Sequence, residues 1–145
     1  MTDTSGSRPD IRETNKGVIA SYRASGGTGE GQDRLVLVTT KGTTSGAQHT
    51  TPVCVREDGD VLVVAGTMGG NRRHPQWYRN LVAEPEVTVE YRGDTYQARA
   101  STMLNGPERD EQFARMNEVI PGMYGYQDRC REFRQIPIVR LERIS

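Results

Sequence analysis

The stretch His74–Val89, HPQWYRNLVAEPEVTV, decides how the rest of the chain is read. Pro75 suits the first turn of a helix, where the N–H it lacks would go unpaired anyway. Trp77, Tyr78, Leu81 and Val82 then recur at helical spacing as an apolar stripe. Pro85 stops the helix, and VTV begins an alternating strand at once. Asn80 lies in the middle of this short helix. Asparagine is disfavoured there because its side chain competes for backbone hydrogen bonds. Its amide therefore has a partner, either in the fold or in a ligand. Trp77, the only tryptophan, is one turn away on the same helix.

Short strands and turns surround this segment. Residues Leu35–Thr40, His49–Arg56, Val61–Ala65, Val87–Tyr91, Thr95–Met103 and Ile136–Leu141 read as strands. EDGD at Glu57–Asp60 and the Arg92-Gly93-Asp94 triplet read as hairpin turns. Ile11–Ser25 reads as an amphipathic helix ended by Gly26-Gly27, and Gly106-Pro107 opens another that Gly122 breaks. Tyr124–Phe133 is left between a short helix and an irregular lid. Hairpins interrupted by helices, without regular βαβ alternation, point to a mostly β, α+β fold with an antiparallel sheet and flanking helices. About six short strands shield their faces best by rolling into a small, partly open barrel.

The chain has 145 residues, enough for one domain with a sizeable core. Its 19 basic and 19 acidic residues cancel, so no global field draws it to nucleic acid or a membrane surface. No apolar run is long enough for a membrane span. MTDTSGSRPD, residues 1–10, is expected to be a disordered tail, with one domain over 11–145 and a cytoplasmic setting. Cys54 and Cys130 match no redox or metal spacing and read as free thiols. His49 and His74, the only histidines, lack the company that a zinc site needs, so no metal is expected.

Four features are candidates for chemistry. The loop Lys41–Ala47, KGTTSGA, offers backbone N–H groups and hydroxyls suited to an anion, without the GK[ST] ending of a P-loop. On its own it reads as an ordinary strand connection. The loop Gly66–Asn71, GTMGGN, is followed by Arg72 and Arg73, a pair able to clamp phosphate or carboxylate. Trp77 and Asn80 form the third. In IPGMYGYQDR, the phenols of Tyr124 and Tyr126 can cover a pocket and donate a proton.

In this order (LVLVTTKGTTSGAQHTTPVCV, the DGD hairpin, VVAGTMGG, HPQWYRNLVAEPEVTVEY and RQIPIVRLE) the pieces resemble the deazaflavin (F420)-dependent nitroreductase family, the F420H2-dependent split-barrel oxidoreductases of actinobacteria. The resemblance runs from about Leu35 to Glu142. It implies a split β-barrel like that of FMN-binding proteins, and reduced F420 as cofactor. The implied reaction passes a hydride to a small electron-poor acceptor such as a quinone, enone or nitro compound, in detoxification or secondary metabolism. By the same resemblance Thr43, Thr44, Ser45 and Gly46 match the tail-phosphate loop, and Thr67, Gly69 and Gly70 the second cofactor loop. Asn80 matches the cofactor-facing asparagine, and Trp77 packs under the cofactor loops. Tyr126 matches an acceptor-side tyrosine, assigned here as catalytic proton donor or lid, with Met68, Met123 and Tyr124 lining the substrate. Arg134 matches an arginine common before the last strand, and a homodimer is compatible with the family.

The departures narrow this expectation. Thr43 and Thr44 stand where the family has basic residues, Met68 stands in place of a lysine, and Ile120 and Met123 replace tyrosines. Arg72 and Arg73 are the expected compensation for the lost charge. The alternatives are FMN, or no cofactor at all, with the fold serving as an isomerase, a cyclase or a binding protein for a hydrophobic small molecule.

Overall fold

Six strands close into one antiparallel barrel in the computed structural model, which describes residues 11–144. The segment 1–10, expected to be a disordered tail, lies outside the described residues, as does Ser145. In chain order the elements are α1 (Ile11–Ser25), β1 (Leu35–Lys41), β2 (Gln48–Asp58), β3 (Val61–Ala65), α2 (Gln76–Ala83), β4 (Glu86–Tyr91), β5 (Asp94–Met103), α3 (Pro107–Val119), α4 (Met123–Cys130) and β6 (Ile138–Arg143). Around the barrel the strand order is β1-β2-β3-β6-β5-β4, and β4 returns to β1.

Closure is tighter than the partly open barrel expected from sequence. The seam that closes it is short, pairing only Leu37 with Glu90, Val38 with Val89 and Thr39 with Thr88. Both edges that six open strands would expose are thereby paired. The hairpin turns lie where the Gly residues place them. Arg92 and Gly93 both have positive φ, 51° and 84°, the signature of a two-residue type I′ turn between Tyr91 and Asp94.

The two-residue period of β3 explains its unbroken apolar run. Leu62 and Val64 point into the barrel with Val36, Val38 and Val139. Val63 and Ala65 point outward, under Phe113, Met116 and Met123 of α3 and α4. A strand buried on both faces has no reason to alternate. Pro137 accounts for the late start of β6, at Ile138 rather than Ile136. Pro137 has no N–H to give a ladder, its carbonyl accepts from Gly66 N, and Ile136 N donates to the Gln127 side chain.

The helices are fixed by a few polar contacts. Tyr22 of α1 is buried, donates its hydroxyl to Leu35 O at 3.1 Å and accepts from Arg92 N at 3.1 Å. α1 is thereby held to both the start of β1 and the β4–β5 turn. α3 is held over the β2–β3 hairpin by Gln112, which accepts from Arg56 and donates to Asp58 at 3.0 Å. α2 sends Trp77 and Leu81 into the interior cluster. No helix among the described residues is long and apolar enough to cross a membrane.

Candidate cofactor groove

A cavity of about 860 Å³ runs between α1, the start of β2 and the first turns of α2. Trp77 and Asn80 line it from α2, His49, Thr50 and Thr51 from β2, and Asn15, Lys16, Ile19 and Arg23 from α1. The helix singled out in the sequence is therefore one wall of this groove. Trp77 also packs in the barrel interior and is only 8% exposed.

Asn80 has partners in the fold. Its amide nitrogen donates to Thr40 Oγ1 at 3.0 Å, and its Oδ1 accepts from Gln76 Nε2 at 2.8 Å. Thr40 and Asn80 are both buried. An asparagine side chain has two donors and two acceptor lone pairs, so one of each remains after these bonds.

The β1–β2 loop lies at one end of the groove. Gly42 N donates to Ala47 O at 2.7 Å and Gly46 N to Gly42 O at 3.0 Å, closing a tight turn. Gly46 takes φ 72°, a left-handed conformation that favours glycine. Ser45 Oγ accepts from Ala47 N and is partly spent on the turn. Thr43 and Thr44 stay exposed, with no side-chain partner among the described residues. His49 borders the loop: a Cβ on Gly42 would lie 3.1 Å from both His49 Nε2 and Ser45 Oγ.

The second loop, Gly66–Asn71, is held from its carbonyl side. Arg134 donates Nε to Asn71 O at 2.8 Å, Nη1 to Gly66 O at 2.9 Å and Nη2 to Thr67 O at 2.8 Å. Arg129 Nη1 takes Gly69 O at 3.0 Å. With the carbonyls turned to these arginines, the N–H groups of Thr67, Met68 and Gly69 find no acceptor among the described residues. Met68 and Gly69 have positive φ, 43° and 61°, after a right-handed Thr67. Successive N–H groups in such a run converge as an anion-binding nest. Gly70 is required by contact as well as by its φ of 78°, since a Cβ there would lie 2.8 Å from Tyr126 O. Burial and the Arg134 charge, with Arg79 nearby, push the His74 pKa below its usual value, while burial lowers that of Arg134.

The remaining expected site residues divide. Arg72 stacks its guanidinium 5.6 Å from the Phe133 ring centre, and Arg73 sends its backbone N–H to Asn71 Oδ1. Neither lines the groove, so the structure does not place them as compensation for the missing basic residues. Met123 is fully buried under α3 and is core in this structure, not a wall of an open cleft. Met68 is exposed on the second loop, and Tyr124 is exposed on α4 with its ring 4.9 Å from that of Phe113. Tyr126 is half-buried, its ring close to Gly122 and its hydroxyl without a partner among the described residues. It borders the second loop through its backbone and does not line the groove.

Sequence reasoning missed the groove face of α1. Asn15, Lys16, Ile19, Ala20 and Arg23 follow helical spacing, so one face was visible, but nothing local said what it faces. Lys16 is open to solvent beside Glu13, and Arg23 makes a two-point ion pair with Glu90 at 2.9 and 2.7 Å. The two cations that line the groove thus come from α1, each with a carboxylate beside it, Glu13 at 3.2 Å from Lys16 and Glu90 at 2.7 Å from Arg23.

Comparison with known proteins agrees with this architecture. The family model described as F420H(2)-dependent quinone reductase matches residues 12–143. The chain is similar to the F420H(2)-dependent quinone reductase of Mycobacterium tuberculosis, 31% identical over 113 residues that cover 74% of this chain and 72% of the relative. Among solved structures it is similar to the F420-H2 dependent reductase FDR-A, with a TM-score of 0.66 and 30% identity over 75% of this chain and 94% of that one. A domain-swapped dimer is similar at a TM-score of 0.69 and 28% identity, covering 91% and 96% of the two chains. The heme storage protein HutZ of Vibrio cholerae, 16% identical with a TM-score of 0.58 over 90% of each chain, shares the fold alone. The chain belongs to the F420H(2)-dependent quinone reductase family.

Proposed function

We propose that the protein holds reduced F420 in the groove between α1, β2 and α2 and serves as a reductase for a small, electron-poor acceptor of the quinone, enone or nitro type. The observation that carries this reading is the groove itself. It is about 860 Å³ in volume, walled by Trp77 and Asn80, and bordered at one end by a turn with exposed hydroxyls. Those features suit a long cofactor with a planar ring and an anionic tail. Thr43, Thr44, His49 and Lys16 meet the tail, the first three by hydrogen bonds and Lys16 by charge. Asn80 offers its spare donor and acceptor to the ring, and the N–H nest of Thr67, Met68 and Gly69, outside the groove lining, is the proposed site for negative charge on the acceptor.

When bound, reduced F420 supplies a hydride. The acceptor oxygen that gains negative charge then needs a proton. The proposed donor is the partner-free hydroxyl of Tyr126, which lies outside the groove lining and must swing in from α4 to deliver it. Arg134 acts at one remove, fixing the second loop so that its N–H groups stay convergent. A homodimer in a reducing cytoplasm fits this reading, supported by the domain-swapped relative and by two unpaired thiols, Cys54 and Cys130.

A second reading is favoured by Thr43, Thr44 and Met68, which leave the loops short of fixed charge. It is a cofactor-independent isomerase, cyclase or binding protein in the same groove. Anaerobic oxidation of reduced F420 by 1,4-naphthoquinone separates the two. Catalysed oxidation, with a lowered kcat in Tyr126→Phe, supports the reductase. A rate equal to the uncatalysed one refutes it.

A further inference from the structure

A different cavity, about 600 Å³, opens between α3, α4 and the segment before β6, and it shares no residue with the groove. α4 separates two environments. Arg129 and the backbone of Tyr126 border the second glycine loop, while Tyr124, Gln127 and Arg131 turn to this cavity.

Its chemistry is unusual for a surface hollow. Arg109 on α3 is only 6% exposed, yet forms no ion pair among the described residues. Its Nη2 donates to Ile136 O at 2.5 Å, and its guanidinium lies 5.1 Å from the Phe113 ring centre. Nε and Nη1 find no acceptor among the described residues, and Arg109 lines this cavity as well as the smaller hollow beside Ile136 and Pro137. Asp110 beside it is the one acidic residue of the lining. Burial lowers the Arg109 pKa, but a guanidinium stays charged throughout the physiological range.

Arg131 lines the same cavity and also lacks a carboxylate partner among the described residues. Arg134 adds charge but has spent four of its five donors on loop carbonyls and His74. Three guanidiniums against one carboxylate leave the cavity cationic. Its wall is aromatic, since Phe113 and Tyr124 meet edge to face at 4.9 Å. A buried, pre-ordered and unpaired arginine is costly unless an anion completes it. Its planar fork matches a carboxylate, and the rings beside it match an aryl group.

We infer that this cavity is a second ligand site, specific for a small aromatic carboxylate, with Arg109 and Arg131 as its anion-binding pair and Phe113 and Tyr124 as its aryl wall. The site is independent of the cofactor reading, because it stands without any occupant of the groove.

The test is calorimetric titration of the full chain, without F420, using 2-naphthoate, neutral 2-acetylnaphthalene and acetate. Saturable one-to-one binding of 2-naphthoate, with at least tenfold weaker binding of both controls, is expected. Arg131→Glu lies on an exposed position and leaves the fold intact. It should weaken 2-naphthoate roughly tenfold to a hundredfold, the range of one charge-assisted hydrogen bond. Arg109→Lys keeps the buried charge and loses the fork, and should weaken binding to a similar degree. Absence of 2-naphthoate binding overturns the proposal. So does equal affinity for the neutral ketone or for acetate, or unchanged affinity in a folded Arg131→Glu protein.

Discussion

Replacing Arg134 by alanine removes the clamp on the second glycine loop. The side chain makes three hydrogen bonds to carbonyls, at 2.8, 2.9 and 2.8 Å, all on one six-residue loop. Each bond from a charged donor is worth about 1.5–3 kcal/mol, and a simple sum gives about 4.5–9 kcal/mol. That sum is too large, because the three bonds share one guanidinium and are not additive. Water also reaches the freed carbonyls at this partly exposed site. A loss of about 2–4 kcal/mol is the expected net effect. Urea unfolding should show it as a lower midpoint with an unchanged slope. Amide exchange should localise it, because Gly70 N and Asn71 N bond to Thr67 O and Met68 O within the loop. Both amides should lose protection in Arg134→Ala beyond the global change. Arg134→Lys, which keeps the charge and one bond at most, should recover less than half. A stability within about 0.5 kcal/mol of wild type, together with unchanged protection at Gly70 and Asn71, would refute the clamp.

Three further expectations use other parts of the structure. Asn80→Leu strands the buried Thr40 hydroxyl and should cost about 1–3 kcal/mol by urea unfolding, while adding Thr40→Val should restore part of it. Gly69→Ala and Gly70→Ala share a positive φ, but only Gly70 meets a carbonyl at 2.8 Å. Thermal unfolding should therefore find the Gly70 variant the weaker of the two, by at least about 1 kcal/mol. His74 has a pKa held below 6.5 by burial and by Arg134 and Arg79, so the unfolded chain takes up its proton first as pH falls. Its stabilising contribution is present above pH 6.5 and is lost as pH drops toward the folded value. Stability curves of wild type and His74→Gln should diverge in slope only in that acidic window.

Much of the barrel was legible because its signals are local. The VLVVA run, the Asp-Gly and Arg-Gly turns and the Pro-bounded α2 helix each carry their own instruction. Closure was not legible, since it depends on a three-pair seam between strands about fifty residues apart in sequence. The same limit applies to the site. Asn80 visibly needed a partner, but Thr40 is reached only through the fold. Arg134 stood out as a residue before the last strand, while its clamping of a loop more than sixty positions earlier had no local signature. Met123 looked like part of an acceptor cleft because of where it sits in a motif, yet it fills the core beneath α3. Arg72 and Arg73 were chosen for their charge and proximity in sequence, whereas the charge at the groove comes from α1. The cavity around Arg109 combines α3, α4 and the β6 approach, and no single segment announces it.

Equilibrium titration of the protein with oxidised F420, followed by the cofactor's own fluorescence, tests the central claim most directly. The groove reading requires saturable one-to-one binding that weakens as salt rises, since Lys16 meets the tail by charge. Lys16→Glu should weaken it roughly tenfold or more, and Arg72→Ala with Arg73→Ala should leave it nearly unchanged. No binding at high micromolar F420, or binding that the Arg72 and Arg73 double variant abolishes while Lys16→Glu does not, would contradict the account.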